Sequence, residues 1–169
     1  LNNPDLDEGH VITDNKLSFD DNYFDVVVSD YVLEHVKEPD IFFKELQRVL
    51  KPGGYFFFRT PNKNHYVTII SKLTPHRFHK LIANKARGLP KEAPDPYETF
   101  YYLNDPKTIL NYAKNNNFKN IELRFCEAQP SYLMFNSFFF LIGVAYERIV
   151  NKFDFLKYFK SNIFGKLVK

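Results

Sequence analysis

The octapeptide SDYVLEHV, residues 29–36, places side chains that can do chemistry directly after an apolar run. The preceding DVVVS segment is continuous and β-branched, which predicts a central, parallel strand buried on both faces. Ser29 and Asp30 end that run, and His35 follows within five positions. Functional groups gather where parallel strands end, because a ligand crevice opens there. The stretch therefore predicts the rim of an enzyme pocket.

The histidines offer candidates for proton transfer but not for metal binding. His35 could accept a proton as a general base, or simply pack on a helical turn. His65 is first a lid residue and second a base in an acceptor site. His76 and His79 have helical spacing, yet the sequence pairs no carboxylate with them, so we predict no metal site.

The elements that must position these residues follow an α/β order. A helix is predicted from Pro39 to Lys51, since proline is tolerated at the first helical position and an apolar stripe follows. KPGG ends this helix, and YFFFRT reads as the next strand, which completes a right-handed βαβ unit. Further elements are predicted in the second half of the chain: a helix capped by Asn104 or Asp105, a strand with Ile121, Leu123 and Phe125 on one face, a helix ending near Asn151, and a last strand in SNIFGKLV.

Residues 63–103 break this alternation and predict a helical lid or insertion over the strand ends, because long connections in compact domains are usually functional. Tyr101 lies in this region and could line an acceptor pocket or only pack. No repeat or low-complexity linker divides the chain, so residues 1–169 are predicted to form a single domain.

Composition and charge exclude several function classes. The net charge is +3, with 12 acidic and 4 basic residues in positions 1–50 and 8 acidic and 19 basic residues thereafter. The basic part has no dense Lys/Arg stripe, so no nucleic-acid partner is expected. Cys126 is the single cysteine, which excludes a disulfide framework and fits a reducing, cytoplasmic location.

The apolar run SYLMFNSFFFLIGVAY, residues 131–146, is shorter than the roughly 20 residues that span a bilayer. We interpret it mainly as a buried or capping helix. A peripheral membrane contact through this run and the basic residues after Arg148 is the minor alternative.

An ordered set of short motifs carries a family resemblance. Residues 5–62 resemble the middle of a class I S-adenosylmethionine-dependent methyltransferase of the methyltransferase type 11 group. The pieces are Leu17-Ser18-Phe19, Phe24-Asp25, Leu33-Glu34-His35, the run from Arg48 to Gly54, and Pro61-Asn62. The resemblance implies an α/β fold with a partial Rossmann-like, doubly wound sheet, and S-adenosylmethionine as the cofactor.

The resemblance also implies roles for individual residues. Asp14 would accept a hydrogen bond from the adenine amino group and Asn15 would contact the ring, although Asp14 could equally cap a turn. The cofactor's methionine end would lie beside Ser29, Asp30 and Tyr31, although Asp30 could instead be a helix N-cap. Thr60, Pro61 and Asn62 would close the pocket from the next strand. His65 and Tyr101 are added as acceptor-side candidates from their residue types, with His35 as the candidate catalytic base.

One part of the family pattern is missing from this sequence. None of the six glycines forms the glycine-rich loop that should precede the quoted motifs. The resemblance therefore predicts the carboxyl-terminal portion of a longer protein, with HVITD as a short strand and the outer edge of DVVVS unpaired. We expect this chain alone to bind the cofactor weakly or not at all.

Two functions from different classes follow. The first is a methyltransferase acting on a small-molecule, glycan-related or lipid-linked acceptor, whose methylated atom the sequence leaves open. The second is a non-catalytic remnant that binds a partner through the open strand edge and the aromatic segment.

Overall fold

The structure, a computed structural model, describes residues 7–10, 12, 16–73, 98–127, 133 and 136–169. Its strands are β1 (Phe24–Asp30), β2 (Leu50–Pro61), β3 (Lys119–Cys126) and β4 (Asn162–Val168). Its α-helices are α1 (Pro39–Val49), α2 (Tyr66–Leu73), α3 (Pro106–Asn115) and α4 (Ser137–Lys152), and two 3-10 turns span Leu33–His35 and Asp154–Phe159. The predicted α/β fold is confirmed, whereas the predicted HVITD strand and most of the predicted lid lie outside the described residues.

The four strands form one open sheet in the order β1-β2-β4-β3. β1 and β2 are parallel and joined through α1, which confirms the predicted βαβ unit. β4 runs antiparallel to both of its neighbours, β2 and β3. The last strand of the chain therefore inserts between two earlier ones, an arrangement that no local sequence pattern predicts.

The prediction that β1 is central and buried on both faces is wrong for the described part of the chain. β1 is the edge strand of the described sheet, and Val28 is 70% exposed. The outer edge of β1 pairs with no other described strand, as the sequence predicted. The β-branched run is explained by strand propensity and by Val27, which packs against the core on the other face.

Among the described residues, the core lies on one face of the sheet. Phe56, Phe58, Ile163 and Leu167 are buried on that face together with side chains of α1 and α3, among them Phe43. Residues one position along each strand point to the opposite face, as the two-residue period of a strand requires. On the opposite face the larger side chains stay exposed, namely Val28, Tyr55, Phe57 and Phe164.

The KPGG sequence ends α1 as predicted, but it lies within β2 as an irregularity of the pairing with β1 and not as a separate turn before the strand. Gly53 has φ of +81°, a conformation that costs little only for glycine. A Cβ on Gly54 would lie 2.9 Å from the carbonyl oxygen of Lys51 and 3.0 Å from that of Asp25. Both glycines are therefore structural, and they let β2 enter the sheet beside β1.

Arg48 connects the LSFDDN segment to α1. Its Nη1 donates to the carbonyl oxygen of Phe19 at 2.7 Å and to Asp21 Oδ1 at 2.9 Å, and its Nη2 donates to the carbonyl oxygen of Leu17 at 3.1 Å. Glu45 accepts from Nε and Nη2 of the same guanidinium, at 2.9 and 2.6 Å. One planar side chain therefore satisfies carbonyl groups that the loop would otherwise leave unpaired.

The apolar run before residue 146 contributes to α4, but this helix is not buried as the sequence analysis predicted. Phe138 is 67% exposed and Leu141 is 65% exposed. The helix contacts the rest of the protein mainly through Gly143 and Val150, which are buried. None of the helices in the described ranges has the length and apolarity needed to span a bilayer.

Replacing Gly165 with alanine should destabilise the sheet. A Cβ at this position would lie 2.0 Å from Cζ of Phe58, which sits opposite Gly165 on β2. The buried Phe58 ring would have to move out of its packed position to relieve this clash. We therefore expect Gly165→Ala to lower the free energy of unfolding by about 1–3 kcal/mol. Urea denaturation measures the loss. The double variant with Phe58→Leu should recover at least about 0.5 kcal/mol relative to additivity, and strict additivity would contradict the clash.

Replacing Arg48 with lysine should also destabilise the protein, because an ammonium cannot reproduce the planar set of contacts to two carbonyl and two carboxylate groups. We expect a loss of about 2 kcal/mol in the free energy of unfolding. Arg124→Lys, a matched change on the exposed surface of β3, should stay within about 0.5 kcal/mol of the parent. Equal effects of the two changes would show that Arg48 does not hold the loop.

Candidate functional site

The carboxyl ends of three strands meet at one edge of the sheet. β1 and β2 are parallel, and β3 is parallel to β2 because both are antiparallel to β4. Asp30, Pro61 and Cys126 end these strands. The edge collects most of the predicted site residues that the structure describes, which come from separate parts of the sequence.

Asp30 is held by Arg59, its direct partner in the parallel register. Both carboxylate oxygens accept from the guanidinium, from Nε and Nη2, each at 2.6 Å. The hydrogen bonds from Arg59 lower the pKa of Asp30, so this exposed carboxyl group is ionised at neutral pH. The alternative role as helix N-cap is wrong, since the 3-10 turn after β1 begins after Val32.

Tyr31 turns the chain sharply at the end of β1. Its φ of 53° lies in the left-handed region, which non-glycine residues adopt rarely. Its amide donates to the carbonyl oxygen of Arg59 at 2.9 Å, and its hydroxyl donates to Asn162 Oδ1 at 2.9 Å. The Arg59 guanidinium carbon lies 4.4 Å from the centre of the tyrosine ring, within cation–π range. A strained backbone held by three contacts is typical of functional sites.

Ser29 brings an unsatisfied hydroxyl to the same edge. The residue is 7% exposed, and its buried Oγ has no hydrogen-bond partner among the described residues. A buried polar atom without a partner costs free energy unless a ligand or water satisfies it. The hydroxyl is therefore suited to contact a bound polar group.

A buried polar chain lies behind this rim. Thr60 Oγ1 donates to Glu34 Oε2 at 3.3 Å and accepts from Asn104 Nδ2 at 2.6 Å. Glu34 is 5% exposed, and its burial raises the pKa of its carboxyl group. Because burial disfavours the charged form, Glu34 holds a proton to higher pH than an exposed glutamate.

The Glu34 backbone holds residues 98–101 at the edge of the sheet through hydrogen bonds. Its carbonyl oxygen accepts from the amides of Phe100 at 2.8 Å and Tyr101 at 3.2 Å. His35 Nδ1 donates to the carbonyl oxygen of Glu98 at 2.7 Å, which places the proton of a neutral imidazole on Nδ1. His35 and Tyr101 are therefore close neighbours, as an acceptor site would require.

Asn62 is fully buried and ties β2 to the segment before β4. Its Nδ2 donates to the carbonyl oxygens of Tyr158 and Lys160, both at 2.8 Å, and its Oδ1 accepts from the amide of Asn64 at 3.0 Å. These contacts use both amide hydrogens of the side chain. In this structure, Asn62 acts by positioning neighbouring groups.

His65 faces Glu127 in a closed cluster at the same edge. Its Nε2 lies 3.4 Å from Glu127 Oε1, and the two side chains are only 8% and 4% exposed. Ser161 fixes Glu127 by donating its amide to Oε2 at 2.9 Å. Tyr146 packs its ring 5.6 Å from the imidazole, and burial raises the pKa of its hydroxyl to about 12. The cluster joins α2, α4 and β3.

Several functional residues escaped the sequence analysis. Arg59, Glu127 and Asn162 had no assigned role there. Asn104 appeared only as a candidate helix cap and Glu34 only as part of a motif. Arg59 offered a usable signal, because a charged residue interrupts the apolar YFFF run one strand away from Asp30. Glu127 offered none, since its partner His65 lies 62 positions earlier.

The remaining predictions concern the adenine contacts and metal binding, and one further feature is a groove on the sheet. Asp14 and Asn15 lie outside the described residues. Within the described ranges, no group of three or more His, Cys, Asp or Glu side chains is placed to hold a metal ion. An open groove of about 580 Å³ crosses the uncovered sheet face, lined by Val28, Phe57 and Phe164 among others, and it extends to Ser29, Asp30 and Arg59 at the rim.

Comparison with known proteins finds a family match for the amino-terminal part of the chain. Residues 6–58 match the methyltransferase domain family. The match shows that this segment is similar to that family. It covers β1, α1 and most of β2, the elements that build the rim around Asp30.

Two curated relatives share this region. A sterol 4-C-methyltransferase of Caenorhabditis elegans is 40% identical over 63 residues, which cover 32% of this chain and 19% of the relative. A ubiquinone biosynthesis O-methyltransferase of Maricaulis maris is 29% identical over 89 residues, 46% of this chain and 35% of the relative. The matched region thus spans well under half the length of either relative.

Solved structures extend the likeness to the rest of the fold. A SAM-dependent methyltransferase of Thermotoga maritima has a TM-score of 0.52 at 15% identity, with 92% of this chain and 60% of that chain covered. One from Archaeoglobus fulgidus has a TM-score of 0.50 at 12% identity, with 90% and 62% covered. The chain therefore has a Rossmann-like α/β fold similar to that of these solved structures, as the resemblance implied.

Replacing Glu34 with glutamine should change how stability depends on pH. Since the folded-state pKa of Glu34 is raised above its ordinary value of 4.5, the stability that its protonated form contributes is full below pH 4.5. It is lost as pH rises through the raised pKa. Glutamine stays neutral, so in urea unfolding Glu34→Gln should gain stability relative to the parent as pH rises from 4.5 through the raised pKa, and should keep that gain at higher pH.

Glu122→Gln is the matched control for that experiment. Lys166 holds the pKa of Glu122 below its ordinary value, so this carboxylate contributes stability that is present at neutral pH and lost on acidification. Its variant should therefore lose stability relative to the parent as pH rises, opposite in sign to Glu34→Gln. A constant offset between Glu34→Gln and the parent would contradict the buried, proton-holding role.

Proposed function

We propose that this chain is the part of an S-adenosylmethionine-dependent methyltransferase that forms one wall of the cofactor site and the acceptor side of the active site. The observation that supports this most directly is the family match over residues 6–58, which includes Asp30 on β1 and ends on β2 one residue before its partner Arg59. The carboxyl ends of parallel strands are where α/β folds bind ligands.

The residues at the rim fit the methionine end of the cofactor. S-adenosylmethionine supplies, when bound, a methyl group on a sulfonium whose chain ends in an ammonium and a carboxylate. Asp30 is anionic at neutral pH and suits a cationic group, while Arg59 suits an anionic one. Ser29 adds the unsatisfied hydroxyl. Together with Tyr31 these residues are proposed to bind that end, and Asp14 and Asn15 are proposed to bind the adenine.

The acceptor side is proposed to lie around His35, Thr60, Asn62, His65 and Tyr101. Methyl transfer needs the attacking atom held in line with the methyl group, so rigid positioning is the main requirement. The buried partners of Thr60 and Asn62 provide that rigidity. His35, with its Nδ1 proton on the Glu98 carbonyl, is proposed to take the acceptor's proton at Nε2. His65 is the second candidate base.

The acceptor is proposed to be a small organic molecule, free or attached to a glycan or lipid. The names of the two relatives, which concern a sterol and ubiquinone biosynthesis, support an organic small molecule as the acceptor. Methylation at oxygen or nitrogen would use the proposed base, because a proton leaves the attacking atom.

The cofactor wall can be tested on the chain as it stands, even if binding is weak. S-adenosylhomocysteine titrated into ¹⁵N-labelled protein should shift the amide resonances of residues 29–31. Asp30→Asn should weaken the titration about fivefold or more, because it removes the charge that faces the ligand ammonium. Glu122→Gln removes another exposed, cation-paired carboxylate and should leave the titration unchanged.

Two results would count against the proposal. Resonances of residues 29–31 that stay in place at millimolar ligand would remove the cofactor wall from this edge. Equal weakening by Asp30→Asn and Glu122→Gln would reduce the interaction to nonspecific charge. Transfer of a labelled methyl group to members of a metabolite panel then identifies the acceptor.

The alternative function is a non-catalytic interaction module. It is supported by the outer edge of β1, which pairs with no described strand, and by the exposed Val28 beside it. A partner could add a strand to this edge by backbone hydrogen bonding. The titration separates the two functions, because a module of this kind would show no response at residues 29–31 to S-adenosylhomocysteine.

A further inference from the structure

We propose that α4 docks this protein onto an anionic lipid bilayer, with the outer face of the helix lying in the membrane interface. The inference goes beyond methyl transfer and does not depend on it. Four features of α4 carry it: an apolar outer face, a fixed orientation, flanking cations, and a length too short to cross the membrane.

The outer face of α4 is an apolar stripe that points into solvent. Its members are exposed and recur at the spacing of one helical face: Phe138, Leu141, Ile142, Ala145 and Ile149. An exposed helix of a soluble protein normally presents polar residues on this side. Contiguous exposed apolar surface of this kind marks an interaction site.

The orientation of the helix is set by contacts on its other face. Gly143 and Val150 are buried against the protein, and Tyr146 donates its hydroxyl to the carbonyl oxygen of Phe159 at 2.6 Å. Tyr146 also packs its ring 4.8 Å from that of Tyr66. The apolar stripe therefore faces outward because the opposite face is already engaged.

Cations flank the stripe where a membrane surface would meet it. Arg148 and Lys152 are exposed toward the carboxyl-terminal end of α4, and Phe155, 73% exposed, extends the apolar surface beyond the helix. Over residues 136–169 the charged side chains are Arg148, Lys152, Lys157, Lys160, Lys166 and Lys169 against Glu147 and Asp154. Lipid phosphates complement such an excess of positive charge.

A bilayer fits this surface better than a second copy of the chain. The described outer face of α4 has exposed cations but no exposed carboxylate, since Glu147 lies toward the packed side. A second copy would bring the same cations without groups to pair them, whereas anionic lipid supplies those groups. The long stems of Arg148 and Lys152 also allow their charges to reach the headgroups while the apolar stripe is immersed.

The length of α4 indicates docking without crossing. Its 16 residues extend about 24 Å, less than the hydrocarbon thickness of about 30 Å. An amphipathic helix of this kind lies in the plane of the interface, and its binding depends on buried apolar area together with attraction to anionic lipid.

Vesicle flotation of the whole chain tests the proposal. The protein should float with vesicles of phosphatidylcholine and phosphatidylglycerol at roughly 0.1 M salt, and much less with phosphatidylcholine alone. Phe138→Ser combined with Leu141→Ser should lower the partition coefficient more than about tenfold. Arg148→Gln combined with Lys152→Gln should lower it several-fold at low salt, with a smaller effect at roughly 0.5 M salt.

Matched controls come from α1, which also exposes an apolar residue and a cation. Ile41→Ser and Lys44→Gln should leave flotation unchanged, and circular dichroism should show that every variant is folded. Failure to float with anionic vesicles would overturn the proposal, as would equal losses from the α1 and α4 changes. The parent could instead form a dimer in solution and fail to bind vesicles. If the Phe138 and Leu141 changes then dissociated the dimer, the face would be assigned to self-association.

Discussion

The parallel pairing of β1 with β2 is the contact on which the functional edge depends. It places Asp30 opposite Arg59 and Ser29 opposite Phe58, so one register determines both the ion pair at the rim and the packing behind it. A shift by one residue would move Asp30 to the core face and Ser29 to the open face. Two glycines of KPGG help to maintain this register. Gly53 adopts a positive φ, and Gly54 allows the backbones of β1 and β2 to approach closely.

Behind the rim, buried polar groups hold the surrounding segments rigid through hydrogen bonds and the contact between His65 and Glu127. Glu34, Thr60 and Asn104 form a hydrogen-bonded chain with little exposure to water, and the His65–Glu127 cluster lies at the same edge. Such groups contribute little net stability, since desolvation offsets much of their attraction. Their value is that they hold residues 34–35, 98–101 and 158–161 in defined positions around the strand ends.

The exposed apolar surfaces have a common structural origin. α1 and α3 cover one face of the sheet, and in the described part of the chain the other face keeps Val28, Phe57 and Phe164 in contact with solvent. α4 adds an outward-facing apolar stripe next to a basic segment. The surfaces differ in chemistry, because the groove on the sheet face includes an ion pair between Glu122 and Lys166, whereas the outer face of α4 exposes only cations.

The sequence by itself determined the elements whose signals act over a few residues. Pro39 at the first turn of α1 and Asp105 as the cap of α3, whose Oδ1 accepts from the Thr108 amide at 3.1 Å, were predictable. So was the structural role of Gly53 and Gly54 after α1. The alternation of Ile121, Leu123 and Phe125 likewise predicted the buried face of β3. The ordered motifs from Leu17 to Asn62 also suggested the resemblance to the methyltransferase domain family, whose match covers residues 6–58.

Tertiary structure decided the features that depend on contacts distant in sequence. The insertion of β4 between β2 and β3, the burial of Glu34 and the approach of His65 to Glu127 have no local pattern to reveal them. The exposure of β1 and of the α4 stripe contradicted the interpretation drawn from hydrophobicity alone. An apolar sequence indicates that burial of its side chains would be favourable. Whether the protein itself buries them depends on how the neighbouring elements are arranged.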